Sequence, residues 1–168
     1  MGDGFMMRDR VIIIMGSSRD EESTAPIRSV LKKLGIPYEL RVSSAHKTPQ
    51  KLLEMLKEYE SSKDRIVYIT VAGRSNALSG FVDANTRYPV IACPPRNEEF
   101  GGVDVYSSLR MPSGVSPLLI LEPENAALAA AKILALSNSK ISDMILSYQQ
   151  DAKNRIESDD AKLKKTID

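Results

Sequence analysis

Histidine is almost absent from this chain of 168 residues: there is one, His46. Cysteine is as scarce, with Cys93 alone. A single thiol excludes an intrachain disulfide and a cysteine metal cluster. One imidazole, with no other ligand group at metal spacing, gives no reason to expect a metal. Charge of one sign is lacking too, since the formal net charge is +1. Without a basic field, no nucleic-acid partner is expected. No apolar run approaches the ~20 residues that span a bilayer. Met1 to Arg8 is not followed by the long apolar region of a secretory signal, so a cytoplasmic protein is expected. Both common nucleotide fingerprints, Gly-x-x-x-x-Gly-Lys and Gly-x-Gly-x-x-Gly, are missing.

What is present is an alternation of two periodicities. Val11 to Met15 is a continuous run of apolar residues, mostly β-branched, stopped by Gly16, as in a strand buried on both faces. Ile27, Val30, Leu31 and Leu34 recur at helical spacing, with Asp20 and Ser23 as candidate caps and Gly35 as the stop. Tyr38 to Val42 alternates like a strand. Thr48-Pro49 opens a helix carrying Leu52, Leu53, Leu56 and Tyr59. Further strands are expected at 66–72, 90–93 and 118–121, and further helices at about 76–83, 125–136 and from 142 onward.

This order predicts an α/β fold: a doubly wound parallel sheet between two helical layers, flavodoxin-like, with strand order 2-1-3-4-5. The length suits one domain, 1–168, with a core at about 11–138 and a C-terminal helical arm at about 139–168. Residues 94–116 are too long for a plain connection and are expected to form a functional loop. The helix around Ala126 to Leu134 is apolar almost all round, which suggests cover from a partner subunit. Residues 151–168 mix acidic and basic side chains, as a solvated arm does.

Three strand ends carry small polar loops: Gly16-Ser17-Ser18-Arg19-Asp20, Ser44-Ala45-His46-Lys47 and Ala72-Gly73-Arg74-Ser75-Asn76. In a parallel sheet these lie along one edge, where backbone N–H groups face a ligand. Gly16 and Gly73 permit close approach. Ser17, Ser44 and Ser75 offer hydroxyls; Lys47 and Arg74 offer charge. Together they suit a phosphate. His46 is the side chain suited to proton transfer near neutral pH. Taken singly, each has a plainer reading. His46 would be a loop residue, Asp20 a helix cap rather than a ribose ligand, and Arg110 a surface ion-pair partner rather than an anion contact.

Five ordered motifs make the sequence recognisable: Met15-Gly16-Ser17, Ser44-Ala45-His46-Lys47, Val71 through Leu78, Cys93-Pro94-Pro95 and Ser107 through Gly114. Together they resemble the 5-aminoimidazole ribonucleotide carboxylase family of de novo purine synthesis, over roughly residues 11 to 138. Of its two classes, the mutase class, which uses N-carboxyaminoimidazole ribonucleotide, typically reads Ser-Ala-His-Arg and Ala-Gly-Gly-Ala-Ala-His. The present Ser-Ala-His-Lys and Ala-Gly-Arg-Ser-Asn resemble class II, which uses carbon dioxide directly. Arg19 departs from the family, which usually has a small residue there. The resemblance implies a carboxy-lyase with His46 as acid–base catalyst. Ser17 and Asp20 would hold the ribose and phosphate region, Ser44 would line the substrate site, and Lys47 would contact the phosphate. Gly73 and Ser75 would line the imidazole and carboxylate pocket. It also implies no cofactor and a homo-oligomer, commonly an octamer. The alternatives are the mutase of the same fold and a flavodoxin-like binding module.

Overall fold

A computed structural model describes residues 7–96 and 99–164. The ends of the expected 1–168 domain, 1–6 and 165–168, lie outside the described residues, as does most of the segment inspected for a secretory signal. Five parallel strands form one sheet in the order β2-β1-β3-β4-β5, as the alternation predicts. They are β1 (Asp9–Met15), β2 (Tyr38–Val42), β3 (Arg65–Val71), β4 (Val90–Ala92) and β5 (Leu118–Leu119). The helices are α1 (Ala25–Lys33), α2 (Pro49–Glu60), α3 (Ala77–Asp83), α4 (Pro123–Ala135) and α5 (Ser139–Lys164).

The strand alternation decides which layer each side chain joins. Val11, Ile13 and Met15 of β1 pack with α1, α4 and the start of α5. Ile12 and Ile14, one residue out of phase, pack with Leu52, Leu56 and Tyr59 of α2 and Leu78 and Val82 of α3. All five residues from Val11 to Met15 are buried, as suits an interior strand covered on both faces.

Three expectations need correction. Neither Asp20 nor Ser23 caps α1. Thr24 is its N-cap and makes no side-chain cap bond, because two 3-10 turns, Ser18–Asp20 and Glu22–Thr24, intervene. Asp20 instead closes a capping box with Ser17. The apolar helix α4 needs no second subunit to cover it. α1 and α5 flank it and β3 lies beneath, burying Ala126, Ala127, Ala130, Ala131 and Leu134. The alanines let those neighbours approach closely. Finally, β5 is two residues long, and Leu118 and Leu121 are about half exposed at that sheet edge.

The expected loop 94–116 contains a 3-10 segment, Glu99–Ser108. Its apolar residues Val103 and Tyr106, with the adjacent Leu109, are more than half exposed.

Candidate active site

The chain leaves β1 for β2 on one side and returns to β3 on the other. The sheet's switch point therefore lies between the carboxyl ends of β1 and β3, where an open α/β sheet leaves a crevice. A cleft of about 770 Å3 opens there. The seven residues to which the resemblance assigns roles line it: Ser17, Asp20, Ser44, His46, Lys47, Gly73 and Ser75.

The first wall is the turn after β1. The Gly16 N–H continues the ladder to Val71 O at 3.0 Å. A Cβ on Gly16 would sit 3.1 Å from the Ala72 Cβ, so this close crossing of two chain segments suits glycine. Ser17 then accepts the Arg19 N–H on its hydroxyl at 3.3 Å, and its own N–H donates to Asp20 Oδ2 at 3.1 Å. Burial pushes the Asp20 carboxyl above its ordinary pKa, against the opposing effect of the Ser17 N–H. The carboxyl is thus fixed in direction and costly to ionise.

The second wall is the turn after β2. The Ser44 N–H donates to Thr48 Oγ1 at 3.0 Å, and the Lys47 N–H donates to Ser44 Oγ at 3.2 Å. The Thr48 N–H closes the turn on Ser44 O at 2.9 Å. Pro49 then starts α2. These local bonds hold the backbone while the His46 and Lys47 side chains stay exposed to the cleft mouth. Ser44 has a second duty here, as the brace of the turn.

The third wall, after β3, is strained. Arg74 and Asn76 both adopt left-handed backbone, with φ of 61° and 33°. Non-glycine residues rarely do so, and such strain collects at functional sites. Ser75 lies exposed between them, while Asn76 is buried and donates through Nδ2 to Ser108 Oγ.

Pro95 and Arg96, beyond β4, complete the lining. Arg96 went unnoticed in the sequence. The signal was available, since Pro94-Pro95-Arg96 follows the fourth strand at the same edge. With Arg19, Lys47 and Arg74 it makes four cationic side chains around one cleft, where Asp20 is the one carboxyl among the described lining residues. Arg96 also pairs with Glu122 at 2.6 Å. Arg110 is exposed and is not among the lining residues. Cys93 is buried, and burial pushes its thiol up to about 12, which keeps it neutral and poorly nucleophilic.

Chemically, the cleft offers dense positive charge, backbone and hydroxyl donors, and one exposed imidazole. That set suits a phosphorylated small molecule undergoing proton transfer. Comparison with known proteins points the same way. The family described as AIR carboxylase matches residues 10–155. A phosphoribosylaminoimidazole carboxylase of Treponema denticola is 54% identical over 159 residues, spanning 95% of this chain and 100% of that protein. One of Archaeoglobus fulgidus is 52% identical over 155 residues, spanning 92% of this chain and 85% of that protein. The crystal structure of Treponema denticola PurE superposes with a TM-score of 0.91 at 54% identity, over 94% of this chain and 99% of that one.

Proposed function

The chain belongs to the AIR carboxylase family, and from that premise we propose that it adds carbon dioxide directly to carbon 4 of 5-aminoimidazole ribonucleotide. Its activity is that of a phosphoribosylaminoimidazole carboxylase, a carboxy-lyase of purine biosynthesis. The observation that carries the mechanism is the exposed imidazole of His46 in a cleft walled by four cations at the β1/β3 switch point.

The 5-amino group pushes electron density into the imidazole ring and makes carbon 4 an enamine-like nucleophile. Carbon 4 attacks carbon dioxide, forming the new carbon–carbon bond. The adduct then loses its ring proton to restore aromaticity. His46 takes that proton, and returns it in the reverse direction. No metal or organic cofactor enters this scheme, because the ring itself is the electron sink. Lys47 and the Ser44 turn meet the phosphate. Ser17 and Asp20 hold the ribose side, where the Asp20 carboxyl oxygens, held in direction by the Ser17 N–H, accept hydroxyl donors. Gly73 and Ser75 bound the imidazole and the new carboxylate.

Lys47 and Arg74-Ser75-Asn76 favour the class that uses carbon dioxide over the mutase, which typically carries arginine and a Gly-Ala-Ala-His sequence there. The chain acts as one catalytic domain with a helical arm over about 139–168, in the cytoplasm. Among the described residues no helix is long and apolar enough to cross a membrane. It works as a homo-oligomer, an octamer. The exposed Val103, Tyr106, Leu109, Leu118 and Leu121 supply the apolar surface an assembly would cover.

The test gives the purified chain aminoimidazole ribonucleotide, with and without bicarbonate and with no ATP-dependent enzyme, and follows ultraviolet absorbance. Bicarbonate-dependent turnover is expected. Efficient turnover of N-carboxyaminoimidazole ribonucleotide instead would assign the mutase reaction.

A further inference from the structure

The left-handed residues of the third wall are gripped from outside their own loop. The Arg74 N–H donates to Asp104 Oδ2 at 2.9 Å, and the Ser107 hydroxyl donates to Arg74 O at 3.0 Å. Both peptide groups of the residue at φ 61° are therefore held by the 3-10 segment Glu99–Ser108. Ser108 adds a third hold through the Asn76 side chain. The Asp104 carboxylate also lies over Gly73, where an added Cβ would come within 3.6 Å of Oδ2. The one Ser107 hydroxyl hydrogen is shared between Arg74 O and Asp104 O, the latter at 2.8 Å, so the gripping groups also brace one another.

A left-handed non-glycine residue persists only where its surroundings over-determine it. Released from Asp104, Arg74 would favour ordinary φ, and Ser75 would swing with it. We propose that Asp104 is a positioning residue. Through the Arg74 N–H it fixes the conformation in which Gly73 and Ser75 face the substrate. This rests on the carboxylase reading above and adds a role for a residue that does not itself line the cleft. It also gives the long connection after β4 a purpose: it carries the clamp back to the loop after β3.

The test compares full-length wild type, Asp104→Ala and Asp104→Asn. Steady-state carboxylation is measured alongside hydrogen exchange at the Arg74 amide. Misplacing a binding group by about an ångström can cost on the order of 100-fold in rate. Asp104→Ala is expected to lose about 10- to 100-fold in kcat, with a smaller change in KM. Its Arg74 amide should exchange about tenfold faster or more. Asp104→Asn keeps an acceptor oxygen and should recover most of both losses. Wild-type kcat in Asp104→Ala would overturn the proposal. So would an Asn variant as impaired as Ala, or an Arg74 amide that stays protected while activity falls. If Asp104→Ala does not fold, Ser107→Ala releases the other end of the same residue. Reduced kcat there supports the clamp, and unchanged kcat overturns it. A wild type with no carboxylase activity would instead count against the proposed function. The exchange measurement would still decide whether Asp104 holds the loop.

Discussion

The two edges of the sheet are built on opposite terms. At the amino edge, polar groups are matched. Asp9 and Arg65, partners in the β1–β3 register, form a two-bond ion pair, and Asn138 donates to the same carboxylate. Burial raises the Asp9 pKa, but the bonds from Arg65 and Asn138 and the Arg65 charge outweigh it and leave the carboxyl below its ordinary value. Asp64, 4% exposed at its side chain, pairs with Arg8 and Arg10. Farther along β2, Arg41 donates to Tyr59 Oη at 2.7 Å. Burial pushes that phenol up to about 12, so it stays neutral.

The carboxyl edge has a different balance. Asp20 is pushed up rather than down, four cations crowd one cleft, and two residues sit in left-handed backbone. The same strands feed both edges, so the difference is local chemistry. One edge ties its charged groups into ion pairs between strands, while the other gathers cationic side chains and strained backbone around an open cleft that a ligand can use.

The comparison is broken most severely at His46. His46→Asn should lower turnover by about 10²–10⁴-fold while ribonucleotide binding, followed by calorimetry, survives. A variant retaining a tenth of the wild-type rate would remove His46 from the proton transfer. Lys47→Ala comes next. Loss of a charged hydrogen bond, worth roughly 1.5–3 kcal/mol, should raise KM for the ribonucleotide about 10- to 150-fold. An unchanged KM would reject the phosphate contact.

The amino edge should respond in stability. Asp9→Ala strands Arg65 and Asn138 and should cost about 1.5–3 kcal/mol in urea unfolding. The sign with pH follows from the depressed pKa. Asp9 stabilises the fold fully above its unfolded pKa, and that contribution disappears as pH falls through the lower folded value. The variant should therefore lose less stability on acidification than wild type. Asp20 has the reverse sign: its folded pKa is raised, so its favourable contribution exists at low pH and fades as pH rises through that value. Asp20→Asn should thus unfold no more easily than wild type at pH 7, while KM rises. A clear loss of stability there would mean the capping box outweighs the burial.

The layered fold was legible because burial on both faces leaves uninterrupted apolar strands, and because Gly16, Gly35 and Pro49 punctuate them. Tyr38–Val42 reads as a strand from its alternation and is one. The three loops of the site were legible for the same reason, since each follows a strand that is easy to place. Other features depend on tertiary neighbours. The apolar circumference of α4 reads the same whether a second subunit or the chain's own α1 and α5 cover it. Ala130 is fully buried within the chain, so Ala130→Glu would strike the core, not an interface. Nor does any periodicity announce the 99–108 segment. Asp104 looks like any loop aspartate until the fold lays it beside Arg74, thirty positions earlier.

The division of labour between the edges is tested most directly by measuring turnover and the urea midpoint on the same two variants, His46→Asn and Asp9→Ala. The two effects should cross. His46→Asn should lose activity at an unchanged midpoint, and Asp9→Ala should lower the midpoint while its folded fraction keeps wild-type kcat. Loss of activity and stability together in both variants would contradict this division and make the two edges one cooperative site.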